Sequence, residues 1–359
     1  MKIVSVVGAR PNFIKLAPVH GEISSFAEHI VIHTGQHYDF ELSEIFFKEF
    51  RLPEPDFNLG VGSGRPSYQI GEMIKRLGEI FLKICPDLVV VYGDTNSTFA
   101  GALSANLMGI KVAHVESGLR SFDRRMPEET NRILTDHISD YLFAPTCTAV
   151  KNLEREHVHG KVAHSGDLSV ELVKRAVGFA AKSSVLADIG LEPKSYLLFT
   201  MHRAENTASR ESLVSVIRAF RQLSEIKIVF PIHPRTLRML KETNLLGGLR
   251  KCKNVKIIQP IGYIDFIRLA KDATKMITDS GGVQKEAYLL SVPCITIRRN
   301  TEWVETVQAG WNILTDTVAE KIVRAVRSWE PRGRTRPIFG YGRASARIGK
   351  FIKHNLAAR

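Results

Sequence analysis

Hydrophobic and polar positions along this chain switch between two periods. Short β-branched runs read as strands at Lys2–Val7, His29–Thr34, Leu88–Tyr92, Val112–Val115, Tyr141–Ala144 and Val162–Ser165. The same holds for Tyr196–Met201, Ile226–Phe230, Val255–Ile258, Met276–Thr278 and Cys294–Ile297. Between them, apolar residues recur every three or four positions over Ser67–Lys83, Ser97–Leu107, Glu128–Ile138 and Arg210–Leu223, the mark of amphipathic helices. This βαβα rhythm predicts an α/β fold with parallel, doubly wound sheets covered by helices on both faces. It restarts after residues 166–195, where polar stretches precede the fresh strand at Tyr196. We therefore expect one domain over 1–167 and a second over 168–345. Two such domains facing each other would gather their strand C-termini around a central cleft. Ile348, Phe351, Ile352 and Leu356 predict a closing helix over 346–358.

Composition narrows the class. The chain has 359 residues, enough for two cores, and its 44% hydrophobic and 24% charged content is ordinary for a globular protein. No apolar run approaches a membrane span, and the apolar start MKIVSVVGARP lacks a signal-peptide cleavage site, so a cytoplasmic protein is expected. Cys85, Cys147, Cys252 and Cys294 are scattered and form no metal-binding pattern, which predicts free, mostly buried thiols. The net charge of +13 is concentrated in residues 320–359, where eleven Lys or Arg face only Glu320 and Glu330. No aromatic-basic interleaving accompanies them, so a solvated basic face is expected rather than a nucleic-acid site.

The chemistry is written just past the predicted strand ends. The first strand is followed by GARPNFIK with Arg10 and Lys15, and the third by GDTNST with Asp94. Glu116, Arg120 and Glu128 follow the fourth; His202, Arg203 and Glu205 follow Tyr196–Met201; His233 and Arg235 follow Ile226–Phe230. The stretch ITDSGGVQKEA at 277–287 reads as a strand, a Gly-Gly turn and a helix start. Backbone N–H groups at such a start suit a diphosphate. Blander roles stay open for single residues: Asp94 and Asp279 can cap helices, and His33, His37, His114 and His137 fit satisfied structural histidines. Gly8-Ala9-Arg10 stands where a GxGxxG would be needed, which argues against a nicotinamide dinucleotide. Cations with a Gly-Gly helix start, plus three acids at strand ends of the first domain, suggest a diphospho-sugar whose leaving group is held while acids work on the sugar.

The motifs GARPNFIKLAPV (8–19), HTGQH (33–37), VYGDTNST (91–98), AHVESGLRSFDRRMPEETNR (113–132), HRAEN (202–206), IHPRT (232–236) and TDSGGVQKEA (278–287) follow in order over nearly the whole chain. In them the chain closely resembles the non-hydrolysing UDP-N-acetylglucosamine 2-epimerases. The resemblance implies a GT-B fold of two Rossmann-like domains, a final helix packing back on the first, and a homodimer. It implies inversion at C2 of a UDP-linked N-acetylhexosamine, with neither cofactor nor metal. The catalytic positions carried over are Asp94, Glu116, Glu128 and His202. Arg10 and Lys15 match nucleotide-sugar contacts, Ser280, Gly281 and Gly282 the diphosphate cradle, Glu286 a ribose contact and Phe266 an aromatic near the base. Arg203 and His233 are retained as further substrate-side positions. The implied route eliminates UDP to a 2-acetamidoglucal and re-adds it after protonation from the opposite face.

The match breaks in places. Many family members read TERPE where this chain reads TEWVE (301–305), with Trp303 in place of Arg. That form, with RSFDRRMPEE, looks more like relatives that epimerise UDP-2,3-diacetamido-2,3-dideoxyglucuronate. The late YGDG appears as Phe339-Gly340-Tyr341-Gly342, and Ile261 replaces a glutamine near the base. Asp39 and Tyr68 replace two contacts of a second, activating UDP-N-acetylglucosamine, which leaves allosteric activation open. A GT-B glycosyltransferase, a catalytically silent sensor and a hydrolysing epimerase share the fold; three clustered acids and an intact set of functional residues weigh against the first two.

Overall fold

A computed structural model describes residues 1–36 and 54–357, apart from the side chains of Arg10 and Pro11. The sequence positions His37 and Asp39 lie outside the described residues. The chain divides into two compact units, one of residues 1–172 with 337–359 and one of residues 173–336. The division falls inside a helix, a few residues beyond the Asp167 boundary expected from sequence.

In the first unit the described elements are β1 (Lys2–Val7), α1 (Arg10–Ser24), β2 (Glu28–His33), β3 (Phe57–Asn58), α2 (Pro66–Ile84) and β4 (Leu88–Tyr92). They continue with α3 (Asn96–Leu107), β5 (Lys111–Val115), α4 (Pro127–Ile138), β6 (Tyr141–Ala144), α5 (Cys147–Arg155), β7 (Lys161–His164) and the first turn of α6 (Ser169–Ala180), whose remainder belongs to the second unit. All seven strands are parallel, in the order β3-β2-β1-β4-β5-β6-β7. The period of two is visible in the packing. Ile3 and Val7 join one core with Leu88, Val90 and Tyr92; Val4 and Val6 join the opposite core with Val89 and Val91. The first core is covered by α1, the second by the Met73-Leu77-Phe81-Ile84 stripe of α2.

The second unit contains α7 (Val185–Asp188), β8 (Tyr196–Thr200), α8 (Ala204–Thr207), α9 (Arg210–Gln222), β9 (Lys227–Pro231), α10 (Pro234–Glu242) and α11 (Leu246–Arg250). After these come β10 (Val255–Ile258), α12 (Tyr263–Asp272), β11 (Met276–Thr278), α13 (Gly281–Leu289), β12 (Cys294–Thr296), α14 (Val304–Gln308), β13 (Asn312–Leu314) and α15 (Ala319–Ser328). Its six parallel strands run β10-β9-β8-β11-β12-β13. Leu197 and Phe199 face one core, Tyr196 and Leu198 the other. The last helix, α16 (Ala344–Ala357), belongs to the first unit, where Ala344, Ile348, Ile352 and Leu356 enter the core that also holds Phe13, Leu16 and Ile23.

In both sheets the strand order reverses, between β1 and β4 in one and between β8 and β11 in the other. Such switch points open a crevice beyond the strand C-termini, where doubly wound sheets take their ligands.

Three expectations change. The edge strands β3 and β13 were not predicted from the sequence pattern. The cysteines are free, but Cys85 and Cys147 are exposed and only Cys252 and Cys294 are buried. Neither Asp94 nor Asp279 caps a helix. Thr95 accepts the Thr98 N–H at the start of α3, and Asp279 is used differently, as described below. Among the described residues no helix is long and apolar enough to cross a membrane.

Candidate active site

At the switch point of the first unit, β1 leads into α1 and β4 leads into Gly93-Asp94. Asn12 ties these turns together. Its Oδ1 accepts the Gly8 and Ala9 N–H groups (3.2 and 3.0 Å) and the Thr95 hydroxyl (3.2 Å), while its Nδ2 donates to Tyr92 O (2.7 Å). One turn along α1, the Lys15 ammonium forms an ion pair with Glu116, and both side chains are about nine-tenths buried. Arg10 opens α1, and its side chain lies outside what is described.

Glu116 follows β5 with φ at +72°, a left-handed conformation that a residue with a Cβ adopts at a cost of about 1–2 kcal/mol. Gly93 is left-handed as well, at +69°. A Cβ there would meet Lys15 Nζ at 2.7 Å and Glu116 Oε2 at 3.3 Å, so the ion pair occupies space that only glycine leaves open.

Asp94 is held from α4. Its carboxylate pairs with Arg132, and its carbonyl accepts from Asn131 Nδ2 at 3.0 Å. Arg132 also pairs with Glu129, which is buried and accepts the Ser121 N–H (2.9 Å), the Ser121 hydroxyl (2.8 Å) and the Phe122 N–H (2.8 Å). Burial works to raise the Glu129 carboxyl, yet the Ser121 N–H, the Arg132 charge and the remaining hydrogen bonds hold it below the ordinary carboxylate range. Glu128, in the same first turn, is only partly buried and makes no hydrogen bond or ion pair with a described residue. The structure thus separates two adjacent acids: Glu129 is committed to the loop over β5, and Glu128 is available. Glu128 and Arg132 are four apart and share a helix face.

At the second switch point Asp279 is fully buried. It accepts the His202 N–H (3.1 Å), the Arg203 N–H (2.9 Å) and Asn206 Nδ2 (3.2 Å), so it shapes the turn after β8. The His202 ring stands 3.7 Å from Asp279 Oδ1 by its Nδ1 and tilts against the His233 ring at 5.5 Å. His233 Nδ1 accepts the Arg235 N–H at 3.1 Å and thereby caps α10. His202 and His233 therefore stand together.

Ser280 is the N-cap of α13, followed by Gly281 and Gly282. The opening N–H groups of a helix have no intrahelical partner, and the helix dipole makes this end positive. The two glycines differ. A Cβ on Gly281 would run into Glu302 Oε1 and reach Trp303 Nε1 at 3.3 Å, whereas one on Gly282 would meet only Ser280 Oγ, at 3.9 Å. Glu302 is balanced by Arg298 (2.8 Å) and Arg203 (3.3 Å), so the turn does not face an uncompensated negative charge. Trp303 is buried, with Lys285 Nζ 4.2 Å above its ring. Phe266 belongs to the core beside Leu269 and Met276, and Glu286 is 9% exposed on α13.

Arg132, Asn12, Arg298 and Glu302 were not singled out from the sequence. Arg132 had a readable signal, since it lies one helical turn after Glu128. Asn12 had none, because half of what it ties together, Tyr92 O and the Thr95 hydroxyl, lies 80 and 83 residues further along the chain.

Against known proteins, the model of the family described as UDP-N-acetylglucosamine 2-epimerase matches residues 22–353. A Methanococcus maripaludis protein named UDP-N-acetylglucosamine 2-epimerase homolog is 51% identical over 99% of this chain and its own full length. The Pseudomonas aeruginosa UDP-2,3-diacetamido-2,3-dideoxy-D-glucuronate 2-epimerase is 40% identical over 98% of this chain and 99% of its own. The crystal structure of Methanocaldococcus jannaschii UDP-GlcNAc 2-epimerase in complex with UDP-GlcNAc and UDP superposes with a TM-score of 0.93 at 44% identity, covering 99% of this chain and all of that one.

Proposed function

Because this chain belongs to the UDP-N-acetylglucosamine 2-epimerase family and is an isomerase of that class, we propose that it interconverts UDP-N-acetylglucosamine and UDP-N-acetylmannosamine. The observation that carries this reading is the grouping of Asp94, Glu116 and Glu128 at one end of the first sheet. Two of them are fixed by the cations Arg132 and Lys15, and the third makes no hydrogen bond or ion pair with a described residue. Inversion at C2 without oxidation needs that kind of site.

A C2 proton beside an acetamido group is a poor acid. Its removal becomes feasible as the C1–O bond to UDP breaks and positive charge builds at C1. The C2–H electron pair then becomes the C1=C2 bond of the glucal, and the C1–O pair leaves on the β-phosphate. Re-addition runs in reverse, with the proton delivered to the opposite face of C2. A base on one face and an acid on the other are required, and three carboxylates can supply them. The departing UDP gains negative charge, for which we assign Arg10, Lys15, His202 and the Ser280-Gly281-Gly282 turn. Arg203, His233, Glu286, Phe266 and Trp303 complete the assigned binding set. The open space around Gly282 supports the turn as the place where a diphosphate approaches backbone. A cytoplasmic homodimer is part of the proposal, on the resemblance to the family, and light scattering on the purified protein tests its mass.

The second reading is the same chemistry on a UDP-2,3-diacetamido uronate, favoured by Trp303 in the TEWVE segment and by the 40% identical Pseudomonas enzyme. Each nucleotide sugar is incubated with the protein in deuterium oxide, and C2 exchange and the epimer are followed by proton NMR. Exchange with one identifies the substrate. No exchange with either refutes both readings, and release of free UDP with free sugar identifies a hydrolase instead.

A further inference from the structure

Beneath the first switch point lies a charged chain that the proposed chemistry does not use. His114, on β5, is fully buried, and so is Asp136, two turns after Glu128 on α4. His114 Nε2 meets Gly93 O at 2.7 Å, and its Nδ1 meets Asp136 Oδ1 at 2.7 Å. A carbonyl and a carboxylate are acceptors, so each ring nitrogen faces an acceptor in the fold. The other oxygen of Asp136 accepts the Gly118 N–H (3.0 Å) and pairs with Arg120 (2.8 Å), which also forks onto Glu156. Burial works against the Asp136 charge, yet the charges and hydrogen bonds of His114 and Arg120 hold its carboxyl below the ordinary range.

We propose that His114 is a positioning residue for the epimerisation: it fixes the Gly93 carbonyl, and so aims Asp94, while Asp136 fixes the turn that carries Glu116. This rests on the epimerase reading above. Both backbone groups of Gly93 are taken by β5, its N–H by Val115 O (2.9 Å) and its carbonyl by His114. Asp94 is the next residue. On the other side, Glu116 stands between His114 and Gly118, and both Glu116 and Gly118 are left-handed (φ +72° and +78°). A strained turn persists only where its surroundings over-determine it, and Asp136 holds the Gly118 end. A buried ionic chain is an expensive way to gain stability, and apolar residues of similar volume often do as well. Its distinct product here is the placement of two carboxylates.

The experiment separates the two ring nitrogens. An asparagine amide overlays Nδ1 and a glutamine amide overlays Nε2. His114→Asn keeps the Asp136 bond and loses Gly93; His114→Gln does the reverse. With UDP-N-acetylglucosamine, His114→Asn should lose ~10–100-fold in kcat, in keeping with a small misplacement of reacting groups, with KM and UDP affinity near wild type. His114→Gln should recover most of that loss, although both variants lose thermal stability. A folded His114→Asn with wild-type kcat, or a His114→Gln no better than His114→Asn, overturns the proposal.

If His114→Asn does not fold, His114→Leu decides, because it loses both bonds while filling a similar volume. Its kcat should fall ~10–100-fold below that of His114→Gln, with KM and UDP affinity near those of His114→Gln. A folded His114→Leu with the kcat of His114→Gln overturns the assignment. Wild-type protein is assayed in parallel with both nucleotide sugars, and the variants with whichever it turns over; absence of C2 exchange with both refutes the epimerase reading itself and takes this proposal with it.

Discussion

Gly281 and Gly282 are neighbours in one helical turn, yet the same added methyl group should affect them in opposite ways. In Gly281→Ala the new Cβ runs into the Glu302 carboxylate, whose Cδ it meets at 3.2 Å, and presses on Trp303 Nε1 at 3.3 Å. Glu302 must withdraw, which disturbs its pairs with Arg298 and Arg203. Overpacking of this kind costs about 1–3 kcal/mol, and a unit of this size loses about 2–4 °C in melting temperature per kcal/mol. In Gly282→Ala the Cβ has only Ser280 Oγ at 3.9 Å and no left-handed backbone to fight, so stability should hold or rise by up to about 1 kcal/mol through lower chain entropy. If the turn carries a diphosphate, however, the methyl occupies the approach of the phosphate oxygens. UDP affinity should then fall at least about tenfold, or about 1.4 kcal/mol. Differential scanning fluorimetry reads stability and isothermal titration with UDP reads affinity. Gly282→Ala that binds UDP as tightly as wild type would refute the cradle. Gly281→Ala with an unchanged melting temperature would refute the packing argument.

Asp94→Asn and Glu116→Gln should each lower epimerisation at least about 100-fold, the range for losing a general acid or base, while UDP still binds; full turnover in either variant removes that residue from the mechanism. Truncation before Ala344 exposes the sites of Ile348, Ile352 and Leu356. At about 1.5–3 kcal/mol for each side chain, the loss of roughly 5–9 kcal/mol rivals the stability of a whole domain, so the shortened chain should fail to fold its first unit; an unchanged melting curve contradicts this. Burial, and next the charge of His20, push the His29 imidazole down to about 3. Its folded form binds protons less readily than the unfolded chain, so its contribution is full above pH 6.5 and is lost as pH falls toward 3. Between pH 7 and pH 5 urea denaturation should show about 2 kcal/mol less stability, and His29→Gln should flatten that difference; equal loss in both proteins would be the contrary result.

The sheets were legible in the sequence because buried parallel strands are continuous apolar runs and their helices carry the complementary stripe. The two missed strands lack that signal. Phe57–Asn58 is a two-residue, exposed edge. Asn312 starts β13 with a buried amide, satisfied by Gln284 at 3.1 Å and Thr306 at 3.0 Å. The shared strand order of the two units was hidden as well, since topology repeats here without a repeat in residues. The acids Asp94 and Glu116 could be read because they stand directly after strands. Their fixation could not. Arg132 and Asp136 sit on a helix, where charge reads as solvated surface, and only the fold turns that face toward the strand ends. His114 fits the structural reading of a satisfied histidine, but what satisfies it, a Gly93 carbonyl 21 residues away, is tertiary information.

Helix α4 also bears on how this chain tolerates changes in length. Glu128, Arg132 and Asp136 occupy three successive turns of one stripe, and Asn131 lies beside them. A single residue inserted between Glu128 and Asp136 would swing everything after it by ~100° around the axis. Arg132 or Asp136 would leave its partner even if the helix formed perfectly. The same insertion between the exposed Arg124 and Arg125, ahead of Pro127, leaves the pitch of the helix untouched. A change in length should therefore be tolerated better there and rejected within the ten residues after Pro127, which makes that proline the border of a fixed-pitch template.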